Sequence, residues 1–312
     1  SVTVNDLDNG AEGVGVTGNN TRSGSFNIHS SNVNEAPVLT VPPTLTVNED
    51  SSNNAVAGIS FIDSDDFGLV EKITLDLGGS PKGTISLASI AGLSFSTGDG
   101  TTDTKMVFTG TKAAINAALS TLRFTPTANI NTVGGGNEQV LTVTVDDQGN
   151  TGTGGAKSDS ETVLITISPV NDAPRRTAAT TTLTAVLEDT ANPPGNTVSS
   201  LFTPVFSDTT DTQTGGSTAN GLAGVAIVTN AATPAQGKWQ YDSGGGWTDL
   251  PTLSLASSFL LKTTDALRFL PTANWNGTPG QLSVRLIDDS AGGVTSGSRP
   301  NLTGGATGGT TV

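Results

Sequence analysis

The sequence predicts an all-β protein built of tandem β-sandwich modules. Three observations lead there: a five-residue stretch that occurs twice, a composition of strand and turn residues, and short apolar segments punctuated by turns. Val33-Asn34-Glu35-Ala36-Pro37 returns almost unchanged as Val170-Asn171-Asp172-Ala173-Pro174, an offset of 137 residues. Self-similarity at a fixed period marks a repeated structural unit. The 312 residues include 39 Gly and only 4% aromatics, with abundant Thr, Ser, Asn and Val. That mixture suits many short strands joined by polar turns.

The repeated stretch reads as a linker. Its Pro holds the preceding residue extended, and Asn with a carboxylate supplies oxygen atoms beside that stiff joint. Three units follow. Residues 1–34 look like the last strands of a preceding module, because Val2-Thr3-Val4-Asn5-Asp6 parallels Val143-Thr144-Val145-Asp146-Asp147. A full module spans 35–172, and a second spans 173–312. The second repeats Leu122-Arg123-Phe124-Thr125-Pro126-Thr127-Ala128-Asn129 as Leu267-Arg268-Phe269-Leu270-Pro271-Thr272-Ala273-Asn274, and Glu49-Asp50 as Glu188-Asp189. With no initiator Met or signal peptide, the chain reads as a piece of something longer.

Within the first module, β-branched enrichment and alternation predict strands over 38–41, 44–47, 56–62, 72–77, 84–88, 106–109, 122–125, 140–145 and 162–168. One helix is expected over 112–122, where Ile115, Leu119 and Leu122 share a face, as a lid on a sheet edge. The second module has a matching strand over 282–287 that ends in Asp288-Asp289. Its Gly- and Thr-rich remainder predicts a missing or frayed last strand, leaving a sheet edge open to another chain.

Charge narrows the partners. Fourteen basic and 28 acidic residues give a net charge of −14, which repels nucleic acid and anionic membranes and favours cations. There is no Cys and a single His29, so disulfides and zinc clusters are excluded. No apolar run is long enough to span a bilayer.

The acidic residues gather at strand ends, in places that recur between modules: Glu49-Asp50 with Glu188-Asp189, Asp63-Ser64-Asp65-Asp66 with Asp208 and Asp211, and Asp146-Asp147 with Asp288-Asp289. Clustered carboxylates raise one another's pKa unless a cation lies among them. Calcium, which takes six to eight oxygen ligands, is the cation this donor set suits. Asp and Asn are also ordinary turn residues, so solvated turns are the competing explanation.

Taken together, the early Glu49, Asp63-Ser64-Asp65, Asp147-Gln148-Gly149-Asn150 and Asn171-Asp172-Ala173-Pro174 resemble cadherin repeats, and more closely the cadherin-like repeats of large bacterial surface adhesins. The resemblance implies tandem Greek-key β-sandwich (cadherin/Ig-like) domains joined by short calcium-binding linkers, outside the cell. Carried over by position, joint one gathers Asn34, Glu35, Asp63, Asp65 and one or both of Asp146 and Asp147. Joint two gathers Glu49, Asn171, Asp172, Asp208 and one or both of Asp288 and Asp289. Asp6 and Glu188 face joints beyond this sequence. Glu35 replaces Asp in the first linker and Asp208-Thr209-Thr210-Asp211 lacks the Asp-x-Asp spacing, so joint two is expected to hold fewer ions.

The resemblance implies a calcium-stiffened extender, with Ca2+ and neighbouring repeats as partners and no enzymatic activity. Two alternatives come from the residues themselves: a filament or sheath subunit assembling by strand exchange, and a glycan-binding adhesin module using Trp239, Tyr241, Trp247 and Trp275. Core packing is the simpler role for those aromatics. Asp242-Ser243-Gly244-Gly245-Gly246-Trp247 resembles the Asp-box hairpin of sialidases, where the Asp caps a turn. The acidic pairs lie at joints rather than facing each other across a cleft, which argues against glycoside hydrolysis. The Gly runs follow no strand-loop-helix pattern and are hairpin turns, not phosphate loops.

Overall fold

A computed structural model of the protein describes residues 2–5, 21–24, 27–132, 138–213 and 217–304. The architecture is all-β, mostly antiparallel, in several small sheets. In order, the first strands are β1 (Val2–Asn5) and β2 (Thr21–Gly24), which pair with each other over four residues. Then come β3 (Val38–Thr40), β4 (Thr44–Asn48), β5 (Asn54–Ala55), β6 (Ser60–Ile62), β7 (Val70–Asp76), β8 (Gly83–Leu87), β9 (Ser94–Thr97) and β10 (Lys105–Thr111). Helix α1 (Lys112–Leu119), β11 (Leu122–Pro126), β12 (Gln139–Asp146) and β13 (Ser158–Ser168) complete the first half.

A six-stranded sheet, β4-β13-β12-β7-β10-β9, and a three-stranded one, β5-β11-β8, bury their alternate residues in one shared core. Ile73 and Leu75 of β7, Val143 and Val145 of β12, Val163 and Ile165 of β13, and Ile85 of β8 are all fully buried in it. The period of two seen in the sequence is therefore the core face of each strand. Among the described strands, only β13 and β4 form a parallel ladder.

The structure departs from the expected elements of the first half in three places. The strand expected over 56–62 is interrupted by a turn at Gly58, whose φ of +88° suits Gly; β5 before it and β6 after it belong to different sheets. The helix stops at Leu119 rather than 122, and Leu122 opens β11. Thr111 caps the helix by accepting from the Ala114 N–H at 3.3 Å. Asn116 binds both the N–H and the C=O of Phe61 on β6, at 3.0 and 2.9 Å, so the helix does cover a sheet edge. Strand β9 was not expected, since as a largely exposed edge strand it carries little hydrophobic alternation.

The second half contains β14 (Arg175–Arg176), β15 (Asn196–Thr197), α2 (Val198–Phe202), β16 (Phe206–Ser207), β17 (Leu222–Asn230), β18 (Gly237–Asp242), β19 (Thr248–Asp249), β20 (Phe259–Lys262), β21 (Ala266–Pro271) and β22 (Leu282–Asp288). Its sheets are β15-β21-β18-β19, β20-β17-β22 and β14-β16. It buries its own hydrophobic clusters, centred on Val225, Ile227, Phe259 and Leu261. After Asp289 no further strand occurs among the described residues, but Leu260 donates to Ser298 O at 3.0 Å and Ser258 to Pro300 O at 3.2 Å, so residues 298–300 dock along β20. Among the described strands, β22 ends its sheet. No helix among the described residues is long and apolar enough to cross a membrane.

Unequal burial predicts unequal core costs. Ile165→Ala, at a fully buried β13 position, will destabilise the first half by roughly 2–5 kcal/mol. Leu286→Ala on half-buried β22 will cost less. Urea unfolding followed by far-ultraviolet circular dichroism compares the two, and equal losses would contradict the half-burial of β22.

Candidate functional site

Both joints are built from the same contacts. At joint one the Asn34 side chain donates to Asp147 Oδ2 at 2.6 Å, and the Glu35 N–H donates to Asp65 Oδ2 at 3.3 Å. At joint two Asn171 donates to Asp288 Oδ2 at 3.4 Å, and the Asp172 N–H donates to Asp211 Oδ1 at 2.9 Å. Asp211 thus stands where Asp65 stands. A one-turn 3-10 helix over Thr209–Asp211 takes up the extra residue between Asp208 and Asp211, so the missing Asp-x-Asp spacing does not remove the second acid.

The structure also separates the ambiguous pairs. Asp147 is buried in joint one, whereas Asp146 turns away to an ion pair with Lys72 at 2.6 Å. At joint two it is Asp288 that meets the linker, while exposed Asp289 accepts from the Gly221 N–H at 2.9 Å. A register shift between β17 and β22 near Leu222 accompanies this exchange of partners. Glu35 contributes its backbone to the joint; its side chain belongs to an exposed residue. Asp6 lies outside the described residues.

Four participants were missed by sequence reasoning. Asn131 donates to Glu49 Oε1 at 3.5 Å and, across joint two, to Ser217 Oγ at 3.0 Å. Asn276 makes the same contact to Glu188 Oε2 at 3.4 Å on the exposed far side of the second half. The signal was present, because the matched Pro-Thr-Ala-Asn stretches extend to Asn131 and Asn276 in both halves. Asn220 donates to Asn171 Oδ1 and its N–H to Asp208 Oδ2. Glu71 hides in β7, where the sequence reads as an ordinary alternating strand; its carboxylate is 1% exposed.

Several buried oxygens accept no hydrogen bond. At joint two these are Glu49 Oε2, Asn131 Oδ1, Asp172 Oδ2, Asp208 Oδ1 and Asp211 Oδ2; at joint one, Asp65 Oδ1 and both oxygens of Glu71. Burial pushes the Asp211 carboxyl up to about 6, with Asp208 and Asp172 adding repulsion. Burial, then the charge of Asp50 and Asp208, raises Asp172, and burial also raises Glu49. Glu71 is pushed up to about 8 by burial and by Asp63 and Asp66. Burial raises Asp63, while Asp65, accepting from it, is held below the ordinary value.

Counter-charge is uneven between the joints. Lys112 donates to Asp63 O at 2.7 Å and to Asp66 Oδ1 at 2.8 Å, and Lys157 donates to Asn34 O, so joint one carries two ammonium groups. Among the described residues, no ion pair involves Glu49, Asp172, Asp208 or Asp211 at joint two. Nor do three acidic or His side chains, among the described residues, meet at one metal-sized point.

The aromatic residues are packed rather than presented. Trp239 is buried, stacks edge-on to Phe269 at 5.4 Å and donates its indole N–H to Gly280 O at 2.8 Å. Tyr241 meets Phe259 at 4.7 Å. Asp242 Oδ1 accepts from Gly244 and Gly246 N–H at 2.7 and 3.0 Å, and Trp247 lies 4.2 Å from the Arg268 guanidinium. The hairpin is structural, and this arrangement offers no sugar-stacking face at Trp239.

No protein-family model and no curated protein matches the chain. Among solved structures, it is similar to the protocadherin gamma B2 extracellular cadherin domains 1–5, with 18% identity and a TM-score of 0.34 over 81% of this chain and 40% of that one. It is also similar to mouse cadherin-23 EC22–24, with 14% identity and a TM-score of 0.28 over 79% and 62% of the two chains. A third is AggA, the major subunit of aggregative adherence fimbriae type I from Escherichia coli, with 16% identity and a TM-score of 0.21 over 45% of this chain and all of that one. Overlaps this loose carry neither fold nor role to this chain.

Glu71 gives a pH signature. Its carboxyl stays protonated to about pH 8 in the folded chain but ionises near its ordinary 4.5 when unfolded. Its contribution to stability therefore falls as pH rises between those values. In EGTA, Glu71→Gln will flatten that part of the stability profile and raise Tm at pH 8. An unchanged slope would show that Glu71 is ionised in the native state.

Proposed function

We propose that the chain is a calcium-stiffened extender of a large extracellular bacterial adhesion protein. In this reading, β-sandwich modules at 35–172 and 173–312, preceded by the end of another module at 1–34, are joined end to end at the two linkers. The observation that carries it is the donor set at joint two. Five buried oxygens without hydrogen bonds come from the first half (Glu49, Asn131), the linker (Asp172) and the second half (Asp208, Asp211). Such groups are costly unless paired, and an oxygen-only, strongly anionic set drawn from both sides of a joint suits Ca2+.

Glu49, Asn131, Asp172, Asp208 and Asp211 would hold an ion at joint two, with Asn171 and Asp288 beside them. Asp63, Asp65, Glu71 and Asp147 would do so at joint one. Calcium supplies the positive charge that lets these acids stay ionised while buried. The chain's own part is mechanical. Without the ion, Asp172, Asp208 and Asp211 repel across the linker and favour bending; with it, ligands from both halves are tied together. Binding only the folded joint also stabilises by linkage, about 2.7 kcal/mol at a hundredfold excess over Kd. Joint one already carries Lys112 and Lys157, which would lessen its demand for a divalent cation relative to joint two.

Small-angle X-ray scattering in EGTA and in millimolar calcium, alongside calorimetric titration, tests this. The expected result is calcium binding, a larger maximum dimension and a stiffer profile. Asp211→Asn will weaken binding about tenfold or more by removing one ligand charge, and Asp146→Asn, already paired with Lys72, will leave it unchanged. Absence of binding, with identical scattering profiles, would make the acidic clusters solvated turns.

A further inference from the structure

We propose that the pairing of β4 with β13 is the force-bearing clamp of the first half, because tension along the chain strains all of its hydrogen bonds at once. The clamp rests on the extender reading only for the source of that tension.

Direction decides how two paired strands resist pulling. The hydrogen bonds of a ladder lie across its strands. Pulling the strands from opposite ends therefore strains every bond together, whereas pulling them apart at one end breaks the bonds in turn. Strand β13 is the last of the first half and runs from Ser158, opposite Asp146 at the joint-one end, to Ser168, just before the second linker. Strand β4 follows the first linker and runs beside it in the same direction, from Thr44 opposite Leu164 to Asn48 opposite Ser168. Tension enters β4 at its start and leaves β13 at its end. In a parallel pair those are opposite ends of the ladder; in an antiparallel pair they would lie side by side.

The ladder is closed at both limits. Leu164 N–H donates to Pro43 O at 3.1 Å, and Glu49 N–H donates to Ser168 O at 2.8 Å. One residue further on, the Val170 N–H donates to Glu49 Oε1 at 2.8 Å, so the Glu49 side chain continues the ladder into the linker. The end of β13 is gripped on its other edge as well. Strand β12 reaches only as far as Gln139, opposite Ile165. From there Thr132 takes over, donating its N–H to Ile167 O at 2.9 Å and accepting the Ile167 N–H on its hydroxyl at 2.8 Å. Val163, Ile165 and Ile167 are fully buried, so drawing β13 out exposes apolar surface as well as breaking bonds.

The weaker contacts lie ahead of the clamp. Tension from the first linker meets the Asn34 contacts and then β3, which pairs with β6 over three residues. These yield first and leave β4 carrying the force. Strand β4 pairs with no other described strand, so its N–H groups alternate between the ladder and the open edge. Glu49 N–H lies in the ladder, and by that alternation so does Val47 N–H, while Thr46 N–H faces away.

Single-molecule pulling on the 312-residue chain tests the clamp. The sequence has no Cys, so paired cysteines make unique handles. Ala36→Cys with Pro169→Cys pulls the two strands from opposite ends, and Ser52→Cys with Pro169→Cys opens them from the joint-two end; all three positions are exposed. In EGTA and at one loading rate, the first pair of handles is expected to need about twofold more force or higher, since its bonds break together. Rupture of the first half is recognised by its lengthening, roughly 450 Å for the roughly 130 residues between those handles. Val47→Pro, which removes a ladder N–H, will lower that force toward the value for opening from one end. Thr46→Pro, on the open side, will lower it less. The comparison of directions uses the same native fold twice, so it stands even where a Pro variant fails to fold. Equal forces in the two directions overturn the proposal, as does a folded Val47→Pro chain that keeps the full force. With no calcium present, the outcome is independent of whether joint two binds an ion.

Discussion

A carboxylate taken out of water must find donors, find a cation or surrender its charge. That constraint shapes both ends of the first half. Asp147 finds donors: the Asn34 amide and the backbone N–H groups of Gly149 and Lys157. Asp66 finds a cation in Lys112. Glu71 and Asp211 find neither in full, and their carboxyl groups are pushed up to about 8 and about 6. Each solution ties residues distant in sequence to the same linker, so the acidic residues decide how successive parts of the chain meet.

The Glu-Asp pair at the start of each half divides this labour. Asp50 accepts the Asn129 N–H at 2.9 Å, and Asp189 accepts the Asn274 N–H at 2.7 Å. In both halves the Asp and the Asn adopt positive φ, a conformation these two residue types tolerate. The Asp therefore closes a local loop. The neighbouring Glu differs between the halves: Glu49 is buried and accepts the Val170 N–H at 2.8 Å, while Glu188 is exposed and accepts from Asn276. Identical dipeptides thus acquire different environments from what lies beyond them.

The two halves also show how one strand organises others. In the first half β4 has a ladder only because β13 is there to pair with it. In the second, residues 181–187 join no ladder among the described residues, and Leu282, Val284 and Leu286 of β22 are half-buried. A sheet position is thus a shared resource.

The sequence by itself determined the class of fold, the repeat, most strands of the first half and the acids that gather at each linker. Those features follow from local rules: period-two burial, β-branched residues, turn residues and an offset that can be counted. The tertiary structure decided what depended on direction and register. Asp147 rather than Asp146, and Asp288 rather than Asp289, meet the linker; neighbours on a strand face opposite sides, and a register shift between β17 and β22 accompanies the exchange in the second half. Asp211 could replace the expected Asp-x-Asp partner only once a 3-10 turn had folded, and Glu71 became unusual only when packing closed water away from an ordinary-looking strand. Composition and spacing record which groups are present, whereas burial and partners exist only once the strands have met.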